Sequence, residues 1–407
     1  MKDVPTSFEI NVPLYKLDLI KTCLYAYYTG RLKDPDIEII CMYTSDKPPE
    51  AKPKQITVTK GVGDGFYRVE NWFIFVTIRY KGLLYQLSTS SFLEQDIRAL
   101  YNKVYVVGFQ PEACEASALM EKIVADALQN SSYKNAMLQL GQNSNLTTME
   151  FAESIFPEPF ELETTSLDEI FLPESLMNYI QLFIQSVQNF DQHKQTMRYL
   201  FSGRPGTAKT KLVRAIANQC RGKATFIFTN GSEGRIHQLF SFSKAFTPCV
   251  VCIDDIDFVT GSRKYELFTP TLAQFLQELD GFDQNNVFVL ATTNDKQLVD
   301  AAASRPGRFD MILDIDVIEP SHYTKLLESK TQNMNVLKLF TPSILTTLKS
   351  KFVAGAFIAN LVKHLELMEK CNSAQMTEGY LSTLIDDTYR GFYKEPKKTN
   401  GEVGFSN

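Results

Sequence analysis

A ten-residue segment with two glycines and a final Lys-Thr pair constrains the fold of this chain more than any other. It reads Phe-Ser-Gly-Arg-Pro-Gly-Thr-Ala-Lys-Thr at positions 201–210, between a predicted strand over Met197–Ser202 and a helix that begins near Lys209. Glycines let the backbone fold around an anion, so that N–H groups and the helix N-terminus point at phosphate oxygens. The residues predicted to contact phosphate are Gly203, Pro205, Gly206, Thr207, Ala208, Lys209, Thr210 and Lys211.

Two side chains of this loop have the chemistry to act on a nucleotide. Lys209 is placed to reach the β- and γ-phosphates, and the Thr210 hydroxyl is placed to ligate Mg²⁺. Ala208 departs from the pattern G-x-x-x-x-G-K-[ST] by replacing its last glycine. Alanine is tolerable there if the residue has ordinary helical dihedrals, because only a left-handed backbone demands glycine. The alternative is a Gly-Pro turn that happens to precede Lys-Thr.

An apolar run, Val250–Ile253, ends in the paired acids Asp254 and Asp255. A buried parallel strand delivers carboxylates in this way to the carboxyl edge of a sheet, where ligands bind. We predict that Asp254 holds Mg²⁺ through its water shell. Asp255 is predicted to orient or deprotonate an attacking water. The alternative is a core strand that runs into a solvated acidic turn.

A second apolar strand, Val287–Leu290, leads to Asn294, whose amide can hydrogen-bond the same water and the γ-phosphate. Arg305 and Arg308 follow on a short turn. Planar guanidinium groups suit a transferring phosphoryl group, and arginines supplied by a neighbouring subunit act as arginine fingers. The alternatives are a helix cap at Thr293-Asn294 and surface ion pairs at the arginines.

The order and spacing of these motifs resemble the AAA branch of the AAA+ ATPases. The matching stretches, which lie within about Thr165 to Arg390, are Gly203–Thr210, Cys252–Asp257, Leu279–Phe282, Ala291–Asn294 and Arg305–Asp310. The resemblance implies ATP hydrolysis with Mg²⁺ by a ring-shaped homo-oligomer, a hexamer or heptamer, in which the arginines serve a neighbour. It also implies that Gly355 and Ala356, at a helix start in the lid domain, approach the nucleotide, and that Ile170 covers the adenine.

The chain departs from the usual family pattern at two places, and in both it resembles one subgroup of the family. This subgroup comprises the translocase that moves a folded Rieske iron–sulfur protein across a mitochondrial membrane, and its relatives. Asp255 stands where the family usually has Glu, and Asn230–Gly234 leaves no room for the family's aromatic pore loop. We therefore expect a protein client, held by residues 1–140, to be remodelled or translocated without threading. Two other functions stay open: a nucleic-acid motor or loader, and a nucleotide-gated scaffold that hydrolyses little ATP.

Composition narrows the alternatives. The net charge of −5 gives no global attraction to nucleic acid, so we expect no nucleic-acid partner. Seven cysteines without disulfide-like spacing and an N-terminus without an apolar signal core favour the cytoplasm. No run reaches the roughly eighteen apolar residues of a spanning helix. The four histidines are scattered, and Cys249-x-x-Cys252 lies along a predicted core strand, so no metal cluster is expected.

These patterns predict an α/β fold of several domains. The alternation of strands and helices over residues 166–319 predicts a parallel sheet sandwiched by helices, which the resemblance identifies as a P-loop AAA+ core, with a helical lid expected at 320–393. Residues 1–140 form an α+β domain with a helix over Leu14–Tyr28 and a hairpin over Trp72–Leu87. Residues 141–165 are predicted as a linker and 394–407 as a disordered tail.

Overall fold

The computed structural model describes residues 6–44, 54–60, 67–71, 73–94, 99–109, 115–140, 157–230, 236–256, 275, 277–279, 287–294, 307–315, 318–371 and 376–392. The strands are β1 (Thr6–Asn11), β2 (Ile37–Thr44), β3 (Val58–Lys60), β4 (Tyr67–Val69), β5 (Ile74–Tyr80), β6 (Leu83–Glu94), β7 (Ala99–Gly108), β8 (Met137–Leu140), β9 (Pro157–Pro159), β10 (Arg198–Ser202), β11 (Thr225–Asn230), β12 (Cys249–Asp254), β13 (Val287–Thr293) and β14 (Met311–Asp314). The helices are α1 (Leu14–Tyr28), α2 (Glu115–Gln129), α3 (Glu174–Gln188), α4 (Phe190–His193), α5 (Lys209–Gln219), α6 (Ile236–Ala245), α7 (Tyr323–Lys330), α8 (Met334–Leu339), α9 (Pro342–Ser350), α10 (Gly355–Lys370) and α11 (Glu378–Phe392).

The N-terminal region is built on a five-stranded antiparallel sheet with the strand order β1-β7-β6-β5-β2. Alternate residues of β5, Ile74, Val76 and Ile78, are fully buried, as expected of a strand that covers a core with one face. The predicted hairpin is confirmed by the antiparallel pairing of β5 with β6; Trp72 lies outside the described residues. Helix α1 matches the predicted range, and it packs with α2 and this sheet in one core.

The second sheet has seven strands in the order β14-β10-β13-β12-β11-β8-β9. Neighbouring strands from β14 to β8 run parallel, and β9 pairs antiparallel with β8. Strands β10 and β13 are buried along their whole length, which explains why they read as apolar runs. The α/β class is therefore confirmed. Because the carboxyl ends of parallel strands share one edge, the segments after β10, β12 and β13 converge there.

The second sheet extends across the boundary that the sequence predicts at residue 140. Strand β8 pairs in parallel with β11 from Met137↔Phe226 to Gln139↔Phe228. Strand β9 lies within the range predicted as a linker and covers β8. Residues 137–140 therefore belong to the sheet of the following domain, which sequence alone could not show because a four-residue strand carries little periodicity.

An aromatic cluster joins the N-terminal region to the second sheet. Tyr15 of α1 lies against Phe242 of α6 with ring centroids 4.8 Å apart, and Phe242 lies 4.7 Å from Phe246. Tyr133, just before β8, contacts both phenylalanines at 5.4 and 5.7 Å. Aromatic pairs at these distances attract each other beyond their buried area. The two regions consequently share one continuous hydrophobic core.

Helices α7 to α11 pack on one another around a third core that includes Leu348, Ile358 and Leu365. A short 3-10 helix at Pro320–His322 precedes them, at the position where the sequence predicts the start of the helical lid. The backbone N–H of Ala356, at the start of α10, donates to the carbonyl of Gly206 at 3.2 Å. The C-terminal helices thus contact the glycine-rich loop directly. Within the described residues, none of the helices combines the length and the apolar character needed to cross a membrane.

Candidate functional site

A cavity of about 500 Å³ lies between the carboxyl edge of the second sheet and the C-terminal helices. This volume is within the range of small-molecule sites, about 300–1,000 Å³. The glycine-rich loop lines it, together with Asp255 and Asn294. Its apolar lining comes from Ile170, Phe171, Leu172, Ile318 and Leu326. The lining therefore combines polar groups that suit phosphates with apolar side chains that suit a planar base.

Two glycines of the loop are there for steric reasons. Gly203 has φ of +153°, and a Cβ at this position would lie 2.0 Å from the carbonyl oxygen of Ile315. Gly206 has φ of +82°, and its Cβ would lie 3.0 Å from that of Ala356. Any side chain at 203 would push the loop off the sheet. The loop is thus held close to β14 on one side and to α10 on the other.

Ala208 does not have the helical dihedrals under which alanine would be free of strain. Its backbone is left-handed, with φ of 70° and ψ of 21°, and it is the N-cap residue of α5. This conformation brings Cβ of an L-residue too close to the carbonyl oxygen and costs about 1–2 kcal/mol. Position 208 therefore does demand the conformational freedom of glycine, and the chain carries strain there. Ala208 is exposed and lines the cavity with Pro205 and Thr207.

Lys209 is buried and reaches across the loop. Its Nζ donates to the carbonyl oxygens of Gly203 at 2.8 Å and Arg204 at 3.0 Å, and to Oδ1 of Asn294 at 2.8 Å. All three partners are oxygens, so the ammonium lies where acceptor groups, such as phosphate oxygens, are favoured. Its neighbour Thr210 donates through Oγ1 to Asp254, at 2.8 and 2.9 Å from the two carboxylate oxygens.

The pair of Thr210 and Asp254 has the donor set of a magnesium site. A hydroxyl oxygen and a carboxylate lie side by side here: Thr210 lines the cavity, and both residues line a neighbouring cavity. Mg²⁺ prefers such hard oxygen ligands, one or two of them from the protein and the rest from water and phosphate. These residues therefore fit the metal that the sequence predicts for them.

Asp255 and Asn294 are joined by a hydrogen bond in which Nδ2 of Asn294 donates to Oδ1 of Asp255 at 2.8 Å. Asn294 thus bridges the lysine and the second acid. The backbone of Asp255 is left-handed, with φ of 51°. Its N–H donates to Oγ1 of Thr292 at 2.8 Å, and the same hydroxyl donates to Oδ1 of Asp254 at 2.5 Å.

The rim of the cavity carries an ion pair. Nζ of Lys211 donates to Oε2 of Glu169 at 2.6 Å, and Glu169 directly precedes Ile170 in the chain. The hydrogen bond and charge of Lys211 hold the pKa of the Glu169 carboxyl below its usual value. Lys330, at the end of α7, lines the same cavity. Partial burial, with the charge of Lys211, lowers the pKa of the Lys330 ammonium.

The structure brings together most of the predicted site residues that it describes, and Arg308 is not among the residues that line the cavity. Gly355 and Ala356 line the cavity from the start of α10, and Ile170 belongs to its apolar lining. Arg305 lies outside the described residues. The Arg308 side chain is only 7% exposed, so in this conformation it is packed inside its own chain. A role of Arg308 in a neighbouring subunit requires that it reorient.

Several residues of the site were not predicted from the sequence. Thr292 lies inside a recognised motif, yet only the paired strands show that its hydroxyl faces both acids. Lys330 and Leu326 reach the cavity from α7 through tertiary packing, and no local pattern in the sequence indicates this. Within the described ranges, no group of three His, Cys, Asp or Glu side chains could hold a metal ion. Cys249 and Cys252 are buried in β12, where burial raises the pKa of the Cys249 thiol to about 12.

Comparison with known proteins agrees with this geometry. Residues 199–317 match the family described as "ATPase family associated with various cellular activities (AAA)". The chain is 34% identical over 186 residues to the ATP-dependent zinc metalloprotease FtsH of Thermotoga maritima, covering 42% of this chain and 30% of that protein. It is 36% identical over 155 residues to the proteasome-activating nucleotidase of Methanocella arvoryzae, covering 34% of this chain and 36% of the relative.

A third relative is the ATP-dependent zinc metalloprotease YME1L1 of Mus musculus, 29% identical over 239 residues, which are 54% of this chain and 33% of that protein. The chain thus spans about a third of the length of the curated relatives it matches. The matched residues 199–317 contain the glycine-rich loop, both acids and Asn294. This stretch of the chain, with its parallel sheet and flanking helices, is therefore an AAA ATPase domain.

Proposed function

We propose that this chain binds ATP with Mg²⁺ in the cavity and hydrolyses it. The observation that carries the proposal is the continuous set of hydrogen bonds from Lys209 through Asn294 to Asp255, beside the contact of Thr210 with Asp254. These are the groups that hydrolysis of a phosphoanhydride needs: a cation, a metal site, a carboxylate for water and an amide to orient it. The apolar side chains that line the cavity would contact the adenine.

Each group has a defined task in this proposal. Lys209 would exchange its carbonyl partners for oxygens of the β- and γ-phosphates. Thr210 and Asp254 would hold Mg²⁺, which neutralises charge on the phosphate oxygens. Asp255 would accept the proton of the attacking water while Asn294 orients both. Asn294 contacts Lys209 and Asp255 at once, so displacement of the lysine by a phosphate would be felt at the acid.

We further propose that the chain works as a ring-shaped homo-oligomer, a hexamer or heptamer, in which Arg305 completes the site of a neighbour. The ring would remodel or translocate a protein client held by the N-terminal region, as in the translocase subgroup that the chain resembles. Threading is disfavoured, because only five residues connect β11 to α6 and none is aromatic. A cytoplasmic location belongs to the same proposal.

The first test is steady-state ATP hydrolysis by the wild type and by Lys209→Ala and Asp255→Asn. Both variants should lose about a hundredfold or more in kcat, since each removes a group that acts on the reacting phosphate or water. Lys194→Ala and Asp191→Asn are matched controls, because this exposed ion pair lies on α4 and the turn after it. Light scattering in ATP should show a large assembly.

Two outcomes would favour the other functions. Tight ATP binding with no turnover in any form would point to a nucleotide-gated scaffold. Hydrolysis stimulated by DNA, with a steep salt dependence, would point to a nucleic-acid motor. Equal turnover in wild type and Lys209→Ala would remove the proposed site itself.

The proposal of a non-threading machine has its own test. A fluorescent protein that carries an unstructured tail loses its fluorescence when an unfoldase pulls it through a pore. With this chain and ATP the fluorescence should persist, while a threading unfoldase in parallel confirms that the reporter works. Loss of the signal with this chain would establish threading and overturn the proposal.

A further inference from the structure

The second acid of the site sits on a strained backbone. Asp255 follows the buried strand β12 and has φ of 51°, in the left-handed region. Asp and Asn are the non-glycine residues that adopt this conformation most readily, because their short polar side chains can bond locally. Such outliers persist only when surrounding contacts hold them, and they cluster at functional sites. The contacts that hold Asp255 are therefore informative.

Thr292 supplies one of these contacts through a hydroxyl that is used twice. The residue is 1% exposed, on β13 beside β12. Its Oγ1 accepts from the N–H of Asp255 at 2.8 Å and donates to Oδ1 of Asp254 at 2.5 Å. A hydroxyl has one proton to donate. It is directed to the carboxylate of Asp254, and a lone pair remains for the turn that follows.

Asn294 supplies the other contact from the position directly after β13, which ends at Thr293. Its Nδ2 donates to Oδ1 of Asp255 at 2.8 Å. Thr292 thus fixes the backbone of Asp255, and Asn294 fixes its side chain. A threonine that served only as a β-branched strand residue would need no such pair of bonds.

We propose that Thr292 is a positioning residue for ATP hydrolysis, which fixes the left-handed turn at Asp255 and the carboxylate of Asp254 with one hydroxyl. The site is then built for aspartate at 255: the turn sets the position of a short side chain that Asn294 can reach. A longer Glu would meet the same strained backbone with a carboxylate displaced by a methylene. The inference rests on the proposed hydrolysis, and its test is chosen to separate the two.

The test compares Thr292→Val, which keeps the shape and removes the hydroxyl, with Thr292→Ser, which keeps the hydroxyl. Thr292→Val should lower kcat about tenfold or more, because the acids move while the phosphate loop is untouched. Thr292→Ser should recover kcat to within about threefold of the wild type. Binding of a fluorescent ATP analogue should lose about tenfold affinity in Mg²⁺ and little in EDTA for the Val variant.

Thr225→Val is the matched control for loss of a buried hydroxyl. Thr225 is also fully buried, and its Oγ1 likewise accepts from one backbone N–H, of Asn135, and donates to one oxygen, of Tyr133. Thr225 is the first residue of β11, so it lies at the amino-terminal ends of the parallel strands, whereas the site lies at their carboxyl ends. Thr225→Val should lower the melting temperature without changing kcat. If it lowers kcat as much as Thr292→Val does, or if Ser fails to restore kcat, the positioning role is refuted.

Asp255→Glu provides an independent test of the proposal if Thr292→Val does not fold. The proposal expects this variant to hydrolyse ATP more slowly than the wild type, and a faster Glu variant would overturn it. If the wild type binds nucleotide but does not hydrolyse it, the proposed function fails. The Mg²⁺-dependent difference in affinity between the Val and Ser variants then still tests the role of Thr292: equal affinities would end it.

Discussion

Replacement of Ala208 by glycine should stabilise the protein, although alanine to glycine usually does the reverse. Ala208 has φ of 70° and ψ of 21°, and its side chain is exposed, so the change leaves no cavity. Release from the left-handed conformation contributes about 1–2 kcal/mol. The greater freedom of the unfolded glycine chain offsets about 0.4–1 kcal/mol of this. The free energy of unfolding should therefore rise by about 0.5–1 kcal/mol.

The assay is chemical and thermal unfolding without nucleotide, with Ala118→Gly as the matched control. Ala118 is exposed within the regular helix α2, so glycine there should lower the free energy of unfolding by about 0.5–1 kcal/mol. The Ala208→Gly variant should melt about 1–3 °C above the wild type and the control below it. If both variants are destabilised alike, Ala208 does not have the left-handed backbone, and the interpretation of the loop is refuted.

Three further predictions address the loop, the rim and the aromatic cluster. Gly203→Ala should abolish binding of a fluorescent ATP analogue, because the new Cβ would lie 2.0 Å from the carbonyl oxygen of Ile315. Lys211 lowers the pKa of the Glu169 carboxyl, so this pair stabilises the fold at a pH above the pKa of Glu169 in the unfolded chain, and the stabilisation is lost as the pH falls through the pKa in the folded chain. Glu169→Gln should therefore lose less stability than the wild type between about pH 5 and pH 3, as measured by urea unfolding. Phe246→Ala should lower the free energy of unfolding by about 3–5 kcal/mol in the same assay, since the ring is fully buried.

The sequence pattern was sufficient to predict those elements whose structure depends on residues close together in the chain. The strand–loop–helix unit around Lys209 is as predicted because glycines, an apolar strand and a helix start follow one another directly in the chain. The same holds for α1, whose apolar residues recur with the helical period over the predicted range. Each strand end that carries a site residue could therefore be placed before the fold was known.

Features that depend on contacts between distant segments could not be predicted. The left-handed backbone of Ala208 is imposed by the closure of the loop against the sheet, and alanine itself gives no sign of it. The pairing of β8 with β11 could not be predicted, because β11 follows β8 by more than eighty residues. The role of Thr292 appears only when β12 and β13 lie side by side.

The aromatic contact between α1 and α6 has a consequence for how the chain can be divided. A cut after residue 150 removes β8 from its place beside β11 and uncovers Phe242 and Phe246. The fragment that remains would carry an unpaired strand edge and an apolar patch, which are two routes to aggregation. The N-terminal region is therefore not an interchangeable module. Substitution of another domain in its place requires matching changes on α6, so the two parts are expected to vary together.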